Sequence, residues 1–225
     1  MELKDYMEKT FPKVALMPGL YEQWDTGIAF ELGKNLYQFK SNTDELNPEY
    51  FQIVFHQAKT IFNALFAPED EIFLVTNLYQ YKDFKRIGNK KMKVYHRYVK
   101  SKAVRNSLKQ ATLPFILEDD EDSLDKCTTQ FSLKCRKRDI HSGLLIKAIS
   151  HQDFPSLKPR LHNPYDLYEP DVFFVNTTRN IIFYMYDDRG CEVIARDAKM
   201  LQPLYKKYHN WLDEAYKEEI EQRLK

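Results

Sequence analysis

The amino-acid sequence predicts an α+β fold: a mainly antiparallel sheet, formed by an N-terminal hairpin and a C-terminal three-stranded meander, packed with amphipathic helices. The meander is read from "DVFFVN", "NIIFYMY" and "CEVIA" within residues 171–195, aromatic and β-branched runs separated by the turn signals "TTR" and "DDRG". Its middle strand is apolar throughout, which requires cover on both faces. The clearest helix follows Asn47, where Phe51, Val54, Phe55, Ala58, Ile61, Phe62, Leu65 and Phe66 keep i, i+3, i+4 spacing.

The elements follow in chain order. "YMEKTF" predicts a short N-terminal helix stopped by Pro12. In "WDTGIAFELGKNLYQF" (24–39), Ile28, Phe30 and Leu32 share a face, "GKN" reads as a turn and "LYQF" as the returning strand, so a hairpin is expected. Asn47 caps the main helix, Pro48 occupies its first position and Pro68 ends it. "EIFLVTNLYQY" (71–81) reads as a buried strand.

Residues 82–109 change character, with eleven Lys or Arg against the single acid Asp83. Tyr95, Tyr98, Val99 and Leu108 would line a helix over about 93–109, with a strand over "KMKVYHRYV" as the alternative. The acidic run "EDDEDSLD" (118–125) is expected to be a flexible loop. In "CTTQFSLKC", Cys127, Thr129, Phe131, Leu133 and Cys135 alternate with polar residues, the period of a half-buried strand. Asp139 is expected to cap a helix carrying Ile140, Leu144, Leu145, Ala148 and Ile149, ended by "HQDFP". A passage with Pro155, Pro159, Pro164 and Pro170 offers a lobe boundary over 155–170, although one domain over 1–225 is simpler. Leu201, Leu204, Tyr205, Tyr208, Trp211, Leu212, Ala215, Tyr216 and Ile220 predict a closing helix, with Pro203 tolerable only in its first turn.

Composition narrows the function. The 225 residues are 43% hydrophobic and 30% charged, as in globular proteins, and the net charge of +1 implies no polyanionic partner for the molecule as a whole. "MELKDYMEKTFPKV" has charges scattered through it, unlike a signal peptide, and no run reaches the roughly 18 apolar residues of a membrane span. A cytoplasmic protein with no membrane role is expected. Cys127 and Cys135 would lie roughly 26 Å apart along a strand, far beyond bonding reach, so Cys127, Cys135 and Cys191 read as reduced, buried thiols. No Cys-x-x-Cys or i,i+4 His pair suggests zinc, and no G-x-G-x-x-G or G-x-x-x-x-G-K occurs. Neither cofactor nor metal is expected on these grounds.

Four stretches carry candidate chemistry. In "DDRG", Asp187, Asp188 and Arg189 would hold a tight turn, with Gly190 taking positive φ at its end. The competing reading is a metal or polar-ligand site, which needs further ligands that nothing adjacent supplies. In "SHQDFP", His151 suits a helix C-terminus and Asp153 shapes a loop, although together they could serve as a base and its orienter. Trp24 reads as a lid on the core and Asp25 as the start of a turn into Gly27. The basic stretch 82–109, with Lys93, Arg97 and Lys100 among Tyr95, His96 and Tyr98, would suit phosphates and bases, but a solvated helix face is the simpler reading.

"WDTGIAFELG", "ISHQDFP", "IIFYMYDDRGCEVIA" and "LYKKYHNWL" together resemble an uncharacterised bacterial family, a domain of unknown function. Its members carry W-D-x-G-I-R-F-E-L-G, N-Q-D-F and Y-D-D-R-G-x-D-V-I-A segments. Here Ala29 replaces the arginine, His151 the asparagine and Glu192 the aspartate. The motifs cover about residues 24–212 and imply a bacterial, cytoplasmic origin; without the arginine, an anion anchored at position 29 loses its support.

The function expected from these features is a non-enzymatic protein-binding module, for instance an immunity-type protein, with another protein as partner. The separated acidic and basic patches, the aromatic abundance and the want of a catalytic set favour it. Two alternatives stand beside it: a metal-assisted enzyme using Asp187, Asp188, Asp153 and His151 on a phosphate-containing substrate, and nucleic-acid binding through 82–109.

Overall fold

The computed structural model describes residues 1–82, 93–117, 121–163 and 167–224. Its centre is a seven-stranded antiparallel sheet of β1 (Gly27–Glu31), β2 (Glu71–Tyr81), β3 (Lys109–Pro114), β4 (Lys126–Arg136), β5 (Asp171–Asn176), β6 (Ile181–Met185) and β7 (Gly190–Ala195). The spatial order is β1-β7-β6-β5-β2-β4-β3. The first strand therefore joins the last, and strands from both sides of the proline-rich passage share one sheet. The helices are α1 (Leu3–Thr10), α2 (Pro48–Leu65), α3 (Lys93–Tyr98), α4 (Lys102–Arg105), α5 (Ser142–Ile149), α6 (Gln202–Tyr208) and α7 (Lys217–Leu224).

Alternation along the central strands feeds two cores. Ile72, Leu74, Phe174, Phe183 and Val193 point to the face covered by α2, α5, α6 and α7. Phe73, Val75, Phe173, Val175, Ile182, Tyr184 and Ile194 point to the other, covered by α1 and Phe11, Val14, Leu16 and Leu20. The meander is thus covered on both sides, as its apolar middle strand required. Phe62 of α2 anchors the larger core, stacking on Phe66 at 4.3 Å and meeting Phe174 edge-on at 4.8 Å. Beneath the end of α2, Asp70 accepts from Ala67 N, Asn176 Nδ2 and Arg179 Nε, each at 2.8 Å, tying the β5–β6 turn to the helix.

The start of α2 is as the sequence indicated: Pro48 opens it and the Asn47 side chain accepts from Glu49 N at 3.2 Å. Asn47→Ala is expected to cost about 1 kcal/mol, because it leaves that amide unbonded; a midpoint shift in urea unfolding measures it.

Several expectations are corrected. The N-terminal hairpin does not form. β1 pairs with β7 instead, and residues 36–39 leave the sheet with Tyr37 78% exposed, so they lack the buried face that holds a strand. Gly33, at φ +65°, packs on Tyr50 and turns the chain away. Residues 93–109 are neither one helix nor a strand: α3 ends at Tyr98, Val99 bridges to Ile140 and α4 follows. β3 is an additional edge strand with no apolar alternation to announce it. Asp139 closes the 137–139 turn by accepting from Arg136 N at 2.8 Å, while His141 stands at the N-cap of α5. The closing helix is broken where Leu212 bridges to Phe30 and Asp213 N donates to Ala29 O, so α6 and α7 are separate. Gly190 has no positive φ; Gly19 and Gly33 do. Of the acidic run, 118–120 lies outside the described residues and Glu121–Asp125 forms a 3-10 turn.

Candidate functional site

β6 runs into the DDRG turn and β7 leaves it, with the start of β5 at the same end of the sheet. Within the turn, Asp187 Oδ1 accepts from Arg189 N at 2.7 Å, and Oδ2 accepts from Arg189 Nε at 2.8 Å and from Nη2. That is the structural role the residue types suggested. The pair is one-sided in exposure: the Asp187 side chain is 6% accessible and that of Arg189 69%. Among the described residues Arg189 Nη1 has no partner, so the guanidinium keeps a donor for a ligand.

Asp188 turns the opposite way and is buried. Its Oδ2 accepts from Tyr50 Oη at 2.7 Å and from Gln38 Nε2 at 3.3 Å. Asp153 arrives from a distant part of the sequence, on the turn after α5, fixed by Phe154 N to His151 O at 3.0 Å. One carboxylate oxygen from each of Asp153, Asp187 and Asp188 lies within 4.8 Å of the others. Oxygens on opposite sides of a calcium ion stand about 4.8 Å apart, so the three can share one hard cation. Zinc-type spacing in the sequence could not reveal this set, because its members meet only in the fold.

The electrostatics agree with the geometry. Partial desolvation raises the carboxyl of the solvent-facing Asp153 above its usual range, and the neighbouring Asp187 raises it further. Burial also raises Asp188, against the hydrogen bond from Tyr50 and with the charge of Asp187. These acids ionise reluctantly without a cation between them. Next to Asp153, Gln152 donates Nε2 to Tyr186 O at 2.6 Å, and its buried Oε1 has no partner among the described residues.

Asp153 and Asp187 open onto a cavity of about 550 Å³, with Asp188 behind them. Asp153, Glu169, Asp171, Asp187 and Glu192 line it with Arg189 and the rings of Tyr79, Tyr168, Tyr184 and Tyr186. Asp171, at the first position of β5, accepts from Tyr184 Oη at 2.5 Å and from Tyr79 Oη. Burial still pushes its carboxyl up to about 6. Glu192 is raised by burial although Tyr21 N donates to it at 3.1 Å. Ala29 faces Glu192 across β1 and β7, so two positions that depart from the motifs the chain resembles are cross-strand neighbours. Sequence reasoning missed Asp171, Glu192, Tyr79 and Tyr184 as site residues, since each reads as an ordinary strand position.

Other candidates lie elsewhere. His151 is buried, with Nδ1 3.0 Å from Pro159 O and its ring edge-on to Phe51 at 5.8 Å. Burial lowers its pKa, and it does not orient on Asp153. Trp24 donates Nε1 to Ala195 O at 2.9 Å and packs edge-on against Phe11, covering the smaller core. Asp25 is exposed and offers only its carbonyl, to Arg223. Lys93 and Arg97 are exposed on α3, whereas Lys100 Nζ donates to Arg138 O at 2.5 Å. Residues 83–92 of the basic stretch lie outside the described residues. All three cysteines are free and buried, and no helix among the described residues is long and apolar enough to cross a membrane.

Comparison with known proteins supports the motif resemblance. Residues 3–216 match the family described as a domain of unknown function (DUF3885). The chain is 47% identical over 214 residues to the Bacillus subtilis (strain 168) protein called "Uncharacterized protein YnaE", covering 95% of this chain and 98% of that one. No solved structure matches the chain significantly.

Proposed function

We propose, for a chain that belongs to the DUF3885 family of domains of unknown function, that the cavity beside the DDRG turn is the centre of a metal-assisted enzyme acting on a phosphate-containing small molecule. The convergence of Asp153, Asp187 and Asp188 within 4.8 Å carries this reading. Two further observations support it: among the described residues Gln152 Oε1 and Arg189 Nη1 have no partner, an oxygen for a cation and a donor for an anion in one cavity. A divalent cation held there would supply Lewis acidity and a bound water of lowered pKa. The chain's own part is to place Arg189 against the phosphate oxygens and to offer Asp171, held by Tyr79 and Tyr184, as the proton-accepting group.

The test is a titration of metal-free protein with Ca²⁺, Mg²⁺ and Mn²⁺, followed by calorimetry and thermal unfolding. At about 100 times Kd the cation should add about 2.7 kcal/mol of stability. Asp153→Asn should raise metal-free stability by a few tenths of a kcal/mol, the repulsion being screened at a solvent-facing carboxylate, and should remove the cation-dependent gain. A gain that survives Asp153→Asn, or the lack of any gain, contradicts the proposal.

The interaction-module reading, in which a cytoplasmic protein of immunity type occludes a protein partner, ranks second. One feature supports it: an apolar groove of about 600 Å³ between α1 and β3, lined by Leu3, Met7, Phe11, Val14 and Leu113. Ala111→Glu, at an exposed position lining the same groove, should then abolish formation of a stoichiometric complex while leaving cation binding unchanged.

A further inference from the structure

A separate cavity of about 450 Å³ lies where α2, the 137–139 turn and the start of α5 meet, and among the described residues no carboxylate lines it. Lys59, Lys100, Lys137 and Arg138 do, with His141 and the first residues of α5. The chain carries 34 basic and 33 acidic residues, so a concave place lined by only one sign of charge is a local segregation that draws anions.

Two of the lysines are positioned without being neutralised. Lys100 Nζ donates to Arg138 O at 2.5 Å and Lys137 Nζ to Asn63 Oδ1 at 3.1 Å. These neutral acceptors fix direction and leave the charge uncancelled. Arg138 is paired with Glu69 at 2.6 Å, but among the described residues Lys59, Lys100 and Lys137 have no carboxylate within ion-pair distance. Burial pushes Lys137 below the usual lysine range, and Lys100 and Lys59 add to this against a partial offset from Asp70. The His141 side chain makes no bond to the first turn of α5, so its amides add donors of the same sign.

We propose that this cavity binds a compact phosphate dianion, free or as the terminal group of a small molecule, through the ammonium groups of Lys59, Lys100 and Lys137. The site is independent of the carboxylate cavity and needs no divalent cation.

The experiment titrates inorganic phosphate into ¹⁵N-labelled protein at constant ionic strength, with chelator present. The expected result is a saturable shift of the Ser142, Gly143 and Leu144 amides with Kd of about 1 mM or tighter. Lys59→Met with Lys100→Met should weaken it at least about tenfold. Both lysines are exposed, so the double variant should fold, and its unshifted remaining spectrum would show that it does. A phenyl phosphate arm reports whether the phosphate is taken as a terminal group. Shifts that do not saturate, or that persist unchanged in the double variant, overturn the proposal. So does a single-stranded oligonucleotide that binds where phosphate does not and moves Lys93 and Arg97, because the ligand would then be nucleic acid.

Discussion

Gly190→Ala is expected to destabilise the protein by about 3 kcal/mol or more, lowering Tm by about 6–12 °C for a chain of this size. A Cβ at that position would stand 1.9 Å from Tyr186 Oη and 2.6 Å from Phe30 O. The tyrosine ring is held between the DDRG turn and the cavity, and the Phe30 carbonyl belongs to β1, which pairs with β7 through Phe30–Cys191 and Glu31–Gly190. Relief therefore requires the edge strand to move away from its neighbour. Gly143→Ala is the control: its Cβ would meet nothing nearer than Lys59 Cε at 3.9 Å, and alanine in a helix is worth up to about 1 kcal/mol over glycine. The same substitution should thus lower Tm at one glycine and raise it at the other. Equal effects would show that close approach is not what position 190 requires.

Lowering the pH of metal-free protein from about 7.5 to about 5.5 should reduce an electrostatic cost that Asp171 imposes. Its carboxyl titrates near 6 in the fold, above the ordinary carboxylate value, because burial outweighs the bonds from Tyr184 and Tyr79. Between these two values the folded chain holds a proton that the unfolded chain has released, so stability falls as pH rises from about 4 to about 6. Above that range the cost stays near its full size, about 3 kcal/mol. Asp153, Asp188 and Glu192 are raised as well and act in the same direction. His151 opposes them: its pKa is lowered in the fold, so the stability of its neutral form is lost as pH falls below the free histidine value. Glu2, Glu45 and Glu214 are lowered by lysine partners but are solvent-exposed and contribute little. Asp171→Asn separates the contributions: the two tyrosine hydroxyls bond different oxygens of the carboxylate, so in the amide one hydroxyl still donates to the remaining oxygen, the other turns to accept from the amide nitrogen, and no proton titrates. Urea midpoints should show the variant more stable than the parent at about pH 7.5, with the gap narrowing toward about pH 4.5. A gap independent of pH would contradict the assignment.

Much of the frame could be read from local chemistry. Asn47 and Pro48 marked the start of α2, and the aromatic and β-branched run 71–81 gave β2 its observed limits. Alternation identified β4, and the apolar runs between "TTR" and "DDRG" identified the meander. The failures share one cause, which is that long-range contacts decided them. "LYQF" has strand-like residues, but β1 closed on β7, more than 150 positions later, and left Tyr37 and Phe39 exposed. The closing helix kept its spacing through Trp211 and Leu212, yet the bridge from Leu212 to Phe30 was worth more than another helical turn. β3 is an edge strand with an exposed and intermediate pattern, so hydrophobicity held no sign of it. The site divides in the same way. The turn role of Asp187 and Arg189 follows from residue type, whereas the approach of Asp153 to Asp188 depends on how α5 meets the sheet end. The tyrosine pair around Asp171 depends on register between β2, β5 and β6.

The most direct measurement is a crystal of the protein soaked in Mn²⁺, with anomalous scattering recorded at the manganese edge. One strong peak is expected among the Asp153, Asp187 and Asp188 carboxylates, bonded to an oxygen of each, and no peak there in Asp153→Asn crystals of the same form. A wild-type map without that peak, or with manganese bound only elsewhere, would show that the three acids gather for architecture and not for a cation.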